Sequence, residues 1–371
     1  YDPWTHADIT VAPVITNTTS RVVTSLANVT GRPTVLKDGD VYHMWYGPDD
    51  THLYHTSSTN PAEFPVGVET TFDTKPLEVA SPAIIKEADG FKMIAYGADN
   101  SEFALYTSAD GTAWTKVGKV FDGNDHFTTD FGKIDAPFLF HEEGSNYRLY
   151  FQVKNAAGTR YKIYAAEAAT IGGTYDLVNN DNPVLSPAAD TTAWDGTVVM
   201  HPWVVKDGAN YYMWFSAHNG TNQRIGVATS PDGLEWTKSA ANPVIGPVGE
   251  PAVIKDGSIW RIWYLGAGSS IKYQSALSPL DLRQTLAYQV TANLVNVSGS
   301  DITLNYPAAL FTVAEIKAGP DWGTPIVNND ANNGVLKVGV SKIPGVVTET
   351  DKELFTVVFM PKIAGTHATL P

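Results

Sequence analysis

The chain has no cysteine, fewer cations than acids and no long apolar run. Without cysteine, disulfide frameworks, thiolate chemistry and Cys-ligated zinc are all excluded, which suits either a cytosolic protein or a bacterial secreted one that folds without staples. Lys+Arg 25 against Asp+Glu 39 leaves a formal net charge of −14, a field that repels phosphate backbones and anionic membrane surfaces. Nucleic acid and membranes are therefore not expected partners. No stretch approaches the roughly 18 to 20 uninterrupted apolar residues of a membrane span, and the first residues lack a basic-then-apolar signal pattern. The expectation is a soluble, mature chain of 371 residues, enough for about two domains, with 43 % apolar residues to fill their cores.

Long amphipathic helices are also missing, and what is present points to β structure. Glycine (31) and proline (23) punctuate the chain, while 10 Trp, 17 Tyr and 14 Phe fall in short alternating runs. The strongest signal is a repeat. Arg32-Pro33 opens an apolar run that ends at Asp38-Gly39 and is followed by the aromatic run Tyr42 to Tyr46. The same pattern returns after Ser81-Pro82, Ala136-Pro137, His201-Pro202 and Glu250-Pro251. The five prolines, at 33, 82, 137, 202 and 251, are 49, 55, 65 and 49 residues apart, which is the spacing of propeller blades.

Each unit reads as a strand opened by proline, whose missing N–H is tolerated at a first strand position, then an Asp-Gly hairpin turn and an aromatic strand. A third strand follows in every unit, and in two units a turn and a fourth strand are spelled alike, as Asp110-Gly111 to Trp114 and Asp232-Gly233 to Trp236. The fifth unit lacks that last strand. Because Trp4 to Pro13 parallels Trp236 to Pro243, the N-terminal strand is expected to complete the last blade and so remove the ring's open edges. The predicted fold is all-β: a five-bladed β-propeller over residues 1–282, then a smaller Ig-like β-sandwich over residues 286–371. The last stretch resembles part of a cohesin-type module, particularly from Asp301 to Val313 and from Asn332 to Val338. It is shorter than such modules normally are, so a truncated or divergent copy is expected. The resemblance implies a dockerin-like protein partner for this domain.

In such a ring the starts of the opening strands, the turns between second and third strands and the connections between blades share one face. The innermost positions on that face are Arg32, Ser81, Asp135, His201 and Glu250. Positions equivalent by repeat would converge on small or apolar residues if they served packing alone, yet these carry a guanidinium, an imidazole and two carboxylates. Clustered charge and partial burial raise one carboxyl's pKa while a cation keeps the other ionised, which is the requirement for acid and base work. The bland alternative is a solvated polar channel. The outer rim carries Asp49, Asp50, Asp99, His218 and Asn219. Asp195, in Trp194-Asp195-Gly196, either swings into the funnel or belongs to a blade-packing turn. Trp45, Trp203 and Trp263 either stack on a sugar ring or pack between blades.

Five blades with proline-opened inner strands and a funnel of carboxylates resemble the glycoside hydrolase superfamily of families 32, 43, 62, 68 and 130, over about three quarters of the chain. The resemblance implies catalysis by Asp135 as base or nucleophile and by Glu250 as acid, because Glu250-Pro251 is similar to the Glu-x-Pro segment bearing the acid in fructan-cleaving members. From their places in the funnel and on its rim, Arg32, His201, Asp195, Trp203, Asp49, Asp99 and His218 are the candidate substrate-binding residues, and the resemblance implies a furanoside- or pentose-type bond in a polysaccharide as the substrate of a secreted bacterial enzyme. The chain departs from the family in carrying His201 where a supporting Asp would sit and Arg32-Pro33 in place of Asp-Pro. That departure motivates the alternative of a non-catalytic carbohydrate-binding or scaffold propeller with a protein-docking sandwich. No cofactor is required, and a structural Ca²⁺ held by Asp and backbone oxygens has no sequence signature that would locate it. His52 and His55 have the spacing of a metal pair but point to opposite faces of a strand.

Overall fold

The computed structural model describes residues 9–14, 21–27, 29, 32–142, 144–257, 259–266, 269–276, 286–297, 299–305, 311–318, 325–330, 335–341 and 347–361. The chain divides into two compact units, Ser20–Ser275 and, together, Tyr1–Thr19 with Ala276–Pro371.

The first unit is the propeller. Blade 1 is built from Thr34–Asp38, Val41–Tyr46, Tyr54–Ser58 and Val68–Glu69. Blade 2 comprises Ala83–Glu87, Gly90–Tyr96, Glu102–Ser108 and Ala113–Asp122, with Thr71–Phe72 parallel to its outer strand. Blade 3 holds Lys133–Phe140, Tyr147–Lys154, Tyr161–Ala168 and Asp176–Leu177. Blade 4 holds Val198–Asp207, Asn210–His218, Arg224–Ser230 and Thr237–Lys238. Blade 5 is Gly249–Asp256, Ile259–Gly266, Ser270–Ala276 and Arg21–Ala27. Each opening strand contacts the opening strand of the next blade, and the fifth contacts the first, so the five form a closed ring.

The closing strand differs from the one expected. Residues 21–27 pair antiparallel with Ser270–Ala276, whereas Ile9–Val14 pairs with Leu286–Val297 in the second unit. The Trp4 segment whose likeness to Trp236 suggested the closure lies outside the described residues. A spelling match fixes strand character, but pairing is decided by which edge lies open in space, and the sheet edge at 270–276 takes the later segment.

Two repeated contacts lock neighbouring blades. An aromatic residue on a blade's second strand donates to a turn carbonyl of another blade: Trp45 Nε1 to Gly111 O at 2.8 Å, Tyr150 OH to Gly233 O at 2.7 Å and Trp263 Nε1 to Pro61 O at 2.8 Å. The last of these joins blade 5 to blade 1 and closes the ring. On the face carrying the Asp-Gly turns, a lysine ending one opening strand pairs with an acid of the preceding blade. These pairs are Lys86 with Asp38, Lys206 with Glu142, Lys255 with Asp207 and, at the closure, Lys37 with Asp256. Tyr147 with Glu87 takes this role between blades 3 and 2.

The second unit is a pair of antiparallel sheets. Ile9–Val14, Leu286–Val297, Val347–Pro361 and Phe311–Ala318 form a four-stranded sheet, and Gly299–Asn305, Val335–Ser341 and Ile326–Asp330 a three-stranded one. Leu336 and Val338, two apart on one strand face, are buried, as is Val357 on the other sheet.

Candidate functional site

Three opening strands carry the same irregularity at the funnel. The pairing skips Ala136-Pro137 opposite Phe151, His201-Pro202 opposite Phe215 and Glu250-Pro251 opposite Tyr264, so two residues face one in each blade. These are β-bulges, and their first residues have left-handed backbones: Ala136 at φ 46°, His201 at 52° and Glu250 at 61°. A side-chain-bearing residue at positive φ just before a proline is disfavoured on both counts, and such strain is characteristic of functional positions. The surroundings hold it in place. The His201 N–H donates to Gln152 Oε1 at 2.9 Å and the Glu250 N–H to Ser216 Oγ at 2.7 Å, each acceptor lying on the second strand of the preceding blade. The Arg32 N–H similarly donates to Ser81 Oγ at 3.2 Å.

Glu250 and Asp135 are brought within reach of each other's field. Burial pushes the Glu250 carboxyl up from 4.5 to about 8; Arg32 opposes that rise, while Asp135 and Asp50 add to it. Its Oε2 is buried without a hydrogen-bond partner, so the carboxyl is protonated at neutral pH and poised to donate. Asp135 lies in a more polar setting. Its Oδ1 accepts the Ala136 N–H at 2.7 Å, and Oδ2 lies 3.4 Å from Lys133 Nζ, which is itself 3.5 Å from Glu78 Oε2. Burial opposes the charge on Lys133, but Asp135 and Glu78 outweigh it and raise its pKa. Tyr96 closes this side: its hydroxyl donates to Ile134 O at 2.9 Å, and burial, followed by the neighbouring Asp135 charge, raises its pKa.

The His201 Nδ1 is buried without a hydrogen-bond partner. Burial lowers its pKa to about 4, with Asp135 opposing and Arg32 adding to the shift, so the imidazole is neutral at pH 7.

Several expected substrate contacts are corrected. Arg32 is completely buried, and its guanidinium donates to the backbone carbonyls of Pro202 (3.0 Å), Ser81 (3.4 Å) and Pro137, plugging the axis from three blades. It has no surface left for a sugar and acts through its charge; burial lowers its pKa to about 10 while Glu250 and Asp135 oppose the shift. Trp203 is buried too. Its Nε1 donates to Val253 O at 2.6 Å, the ring lies 5.5 Å from the Arg32 guanidinium carbon, and it lines a cavity of about 940 Å³ at the Asp-Gly-turn mouth, opposite the funnel. Trp45 and Trp263 are likewise inter-blade packing residues.

Asp195 is buried in an ion pair with Lys238, on the outermost strand of blade 4, far from the opening strand in the sheet order. Asp49 and Asp99 close equivalent turns. The Asp49 Oδ1 accepts the backbone N–H of Thr51 (2.7 Å) and of His52 (2.8 Å), and Asp99 Oδ1 accepts the Ser101 hydroxyl (2.6 Å) and its backbone N–H (2.7 Å); these bonds hold both carboxyls below the usual range. His218 ends its strand with Nδ1 accepting the Gly220 N–H at 2.9 Å, and burial lowers its pKa. Asp50 rather than Asp49 is the rim acid whose charge reaches Glu250 and Tyr96.

Gln152, Ser216, Lys133 and Tyr96 were not among the residues singled out from sequence. A signal for two of them exists: the residue after the aromatic pair is polar in Tyr150-Phe151-Gln152 and Trp214-Phe215-Ser216 but not in Trp45-Tyr46-Gly47 or Trp263-Tyr264-Leu265. Among the described residues, no group of three or more His, Asp or Glu side chains is arranged to hold a metal ion.

No known family model matches the chain. Two uncharacterized proteins of Mycobacterium tuberculosis are 26 % identical to it over 91 residues, 21 % of this chain and 30 % of theirs, so the match spans under a third of the length of those relatives. Among solved structures, a thermostable family-43 glycoside hydrolase has a TM-score of 0.55 at 19 % identity, covering 69 % of this chain and 91 % of its own. An endo-arabinase from Bacteroides thetaiotaomicron has a TM-score of 0.52 at 16 % identity, covering 69 % and 96 %. An endo-1,4-beta-xylanase of the same species has a TM-score of 0.51 at 16 % identity, covering 73 % and 93 %. At these identities the likeness is one of fold: this chain has the β-propeller fold of glycoside hydrolases.

Proposed function

We infer that the propeller is a glycoside hydrolase that cleaves polysaccharide in the Asp135–Glu250 funnel, with furanoside- or pentose-type bonds favoured. The observation that carries the reading is the contrast between the two acids: a half-buried Glu250, its Oε2 sealed without a partner and its pKa raised to about 8, and Asp135 beside Lys133. Glu250 donates its proton to the glycosidic oxygen as the C–O bond to the leaving sugar breaks. In a single displacement, water attacks the anomeric carbon and gives up a proton to Asp135; in a two-step course Asp135 attacks instead to form a glycosyl ester, and water that gives its proton to the now ionised Glu250 then hydrolyses the ester and frees Asp135. The anomer first released, read by NMR, separates the two courses. A polymeric substrate cannot enter a cell intact, which favours action outside a bacterial cell.

The test is release of reducing sugar from a panel of plant and microbial polysaccharides by the full chain, Glu250→Gln and Asp135→Asn. Each substitution is expected to lower kcat by about 10²- to 10⁴-fold. Full activity in both variants would overturn the assignment. The second reading, a propeller that binds carbohydrate without cleaving it, is favoured by Arg32 and His201 at two of the inner positions; it predicts calorimetric binding with no turnover on any substrate. For the C-terminal unit we propose a cohesin-like docking role. It predicts co-purification with a dockerin-bearing partner that is lost when the chain is truncated at about residue 284.

A further inference from the structure

On blade 3, beside the connection that leads into the Asp135 strand, a cleft of about 240 Å³ that includes neither Asp135 nor Glu250 in its lining opens between the 127–131 segment and the sheet. Lys162 and Tyr164, two apart on one strand face, line it together with Arg160, which directly precedes the strand Tyr161–Ala168, while the intervening Ile163 is fully buried. Phe127 and Phe131 come from the connection that follows the short helical turn Gly123–His126. Phe127 stacks on Phe131 at 5.4 Å and meets Tyr164 edge-on at 5.0 Å, giving the cleft an aromatic wall that remains partly exposed.

The charges here are unusual for this chain. The whole molecule carries −14, yet Arg160 and Lys162 are exposed and have no ion-pair partner among the described residues, whereas most of the other described lysines and arginines are paired. Asp130, the acid in the lining, has its Oδ1 3.2 Å from the Ala156 N–H. Two free cations, an aromatic wall and a fixed carboxylate acceptor match one ligand chemistry: a sugar ring carrying a carboxylate, its apolar face on the aromatics, its acid on the cations and a hydroxyl on Asp130.

We propose that this cleft is a binding site for a uronic acid unit of the polysaccharide, separate from the Asp135–Glu250 pair. The proposal builds on the carbohydrate reading of the funnel but does not require turnover there. It is tested by calorimetry on the full chain with trigalacturonate, with neutral galactotriose as the control ligand and the double variant Arg160→Glu/Lys162→Glu as the control protein. Because both positions are exposed, that variant is expected to fold, which its circular dichroism and melting temperature report. Trigalacturonate is expected to bind, to weaken as salt rises, and to lose at least about tenfold in affinity in the double variant. Glu250→Gln is expected to bind it as the parent does, so a failed hydrolase reading and a failed cleft show as separate results. Equal affinity for the acidic and neutral trimers, or a folded double variant that binds trigalacturonate unchanged, would overturn the proposal. A sulfated trisaccharide binding as tightly as the uronate would assign the cations to anions in general and overturn the uronate assignment.

Discussion

Glu250 and His201 occupy the same kind of strained position in adjacent blades, yet burial drives their proton equilibria in opposite senses. For Glu250 the folded value of about 8 lies above the ordinary 4.5. Its contribution to stability is therefore complete below pH 4.5 and is lost as pH climbs toward 8, where the fold must bury an ionised carboxylate. Glu250→Gln removes that loss, so its melting temperature relative to the parent is expected to rise between pH 5 and pH 8. A difference that stays flat across this window would mean that Glu250 is not held protonated. The same titration governs chemistry. A general acid works only while it holds its proton, so kcat/KM is expected to fall above about pH 8. His201 works the other way: its folded value of about 4 lies below the ordinary 6.5, so the stability it contributes is present above pH 6.5 and lost as pH falls toward 4.

At the level of elements, the ring is held where its first and last blades meet, and Asp256 is the hub of that junction. Its carboxylate pairs with Lys37 (2.8 Å) and Arg261 (2.9 Å) and accepts from the Tyr42 hydroxyl, and these bonds bring its pKa down to about 2 although burial opposes them. Asp256→Ala leaves the buried Arg261 with only the Tyr273 hydroxyl and frees Tyr42, which is expected to cost about 2 kcal/mol in urea unfolding. The equivalent Asp38 pairs with a single exposed lysine, and Asp38→Ala is expected to cost clearly less. Equal midpoints for the two variants would remove the special role of the junction. This scale also explains what the sequence discloses. Strands, Asp-Gly turns and the five-fold repeat are local patterns, so they are legible. Glu250 is legible because the repeat sets it directly before its strand's proline, and Asp135 because it lies one position earlier on the same kind of opening strand. Asp195 and Trp203 read as site residues because a lysine on an outer strand and an inter-blade carbonyl are partners that only the folded chain supplies. Gln152 and Ser216 escape notice because their acceptors serve a backbone N–H of another blade.

Considered whole, the propeller depends on a strand that sequence order places before all five blades. Arg21–Ala27 is the outer strand of blade 5, although it precedes Thr34 in the chain. Closing the ring by chain ends far apart in sequence stabilises the fold only if both are present, because otherwise Ser270–Ala276 becomes an unpaired edge. A chain of residues 20–276 keeps that strand, whereas residues 29–276 lack it while retaining Lys37, Trp263 and the other junction contacts. The first is therefore expected to melt in one cooperative step, and the second to melt at least several degrees lower, the equivalent of a few kcal/mol in a protein of this size. It is also expected to associate through the exposed edge, which light scattering would report. The same melting temperature and a monomeric state for both would mean that the ring closes through the Trp263, Asp256 and Lys37 contacts alone, with the N-terminal strand as mere covering.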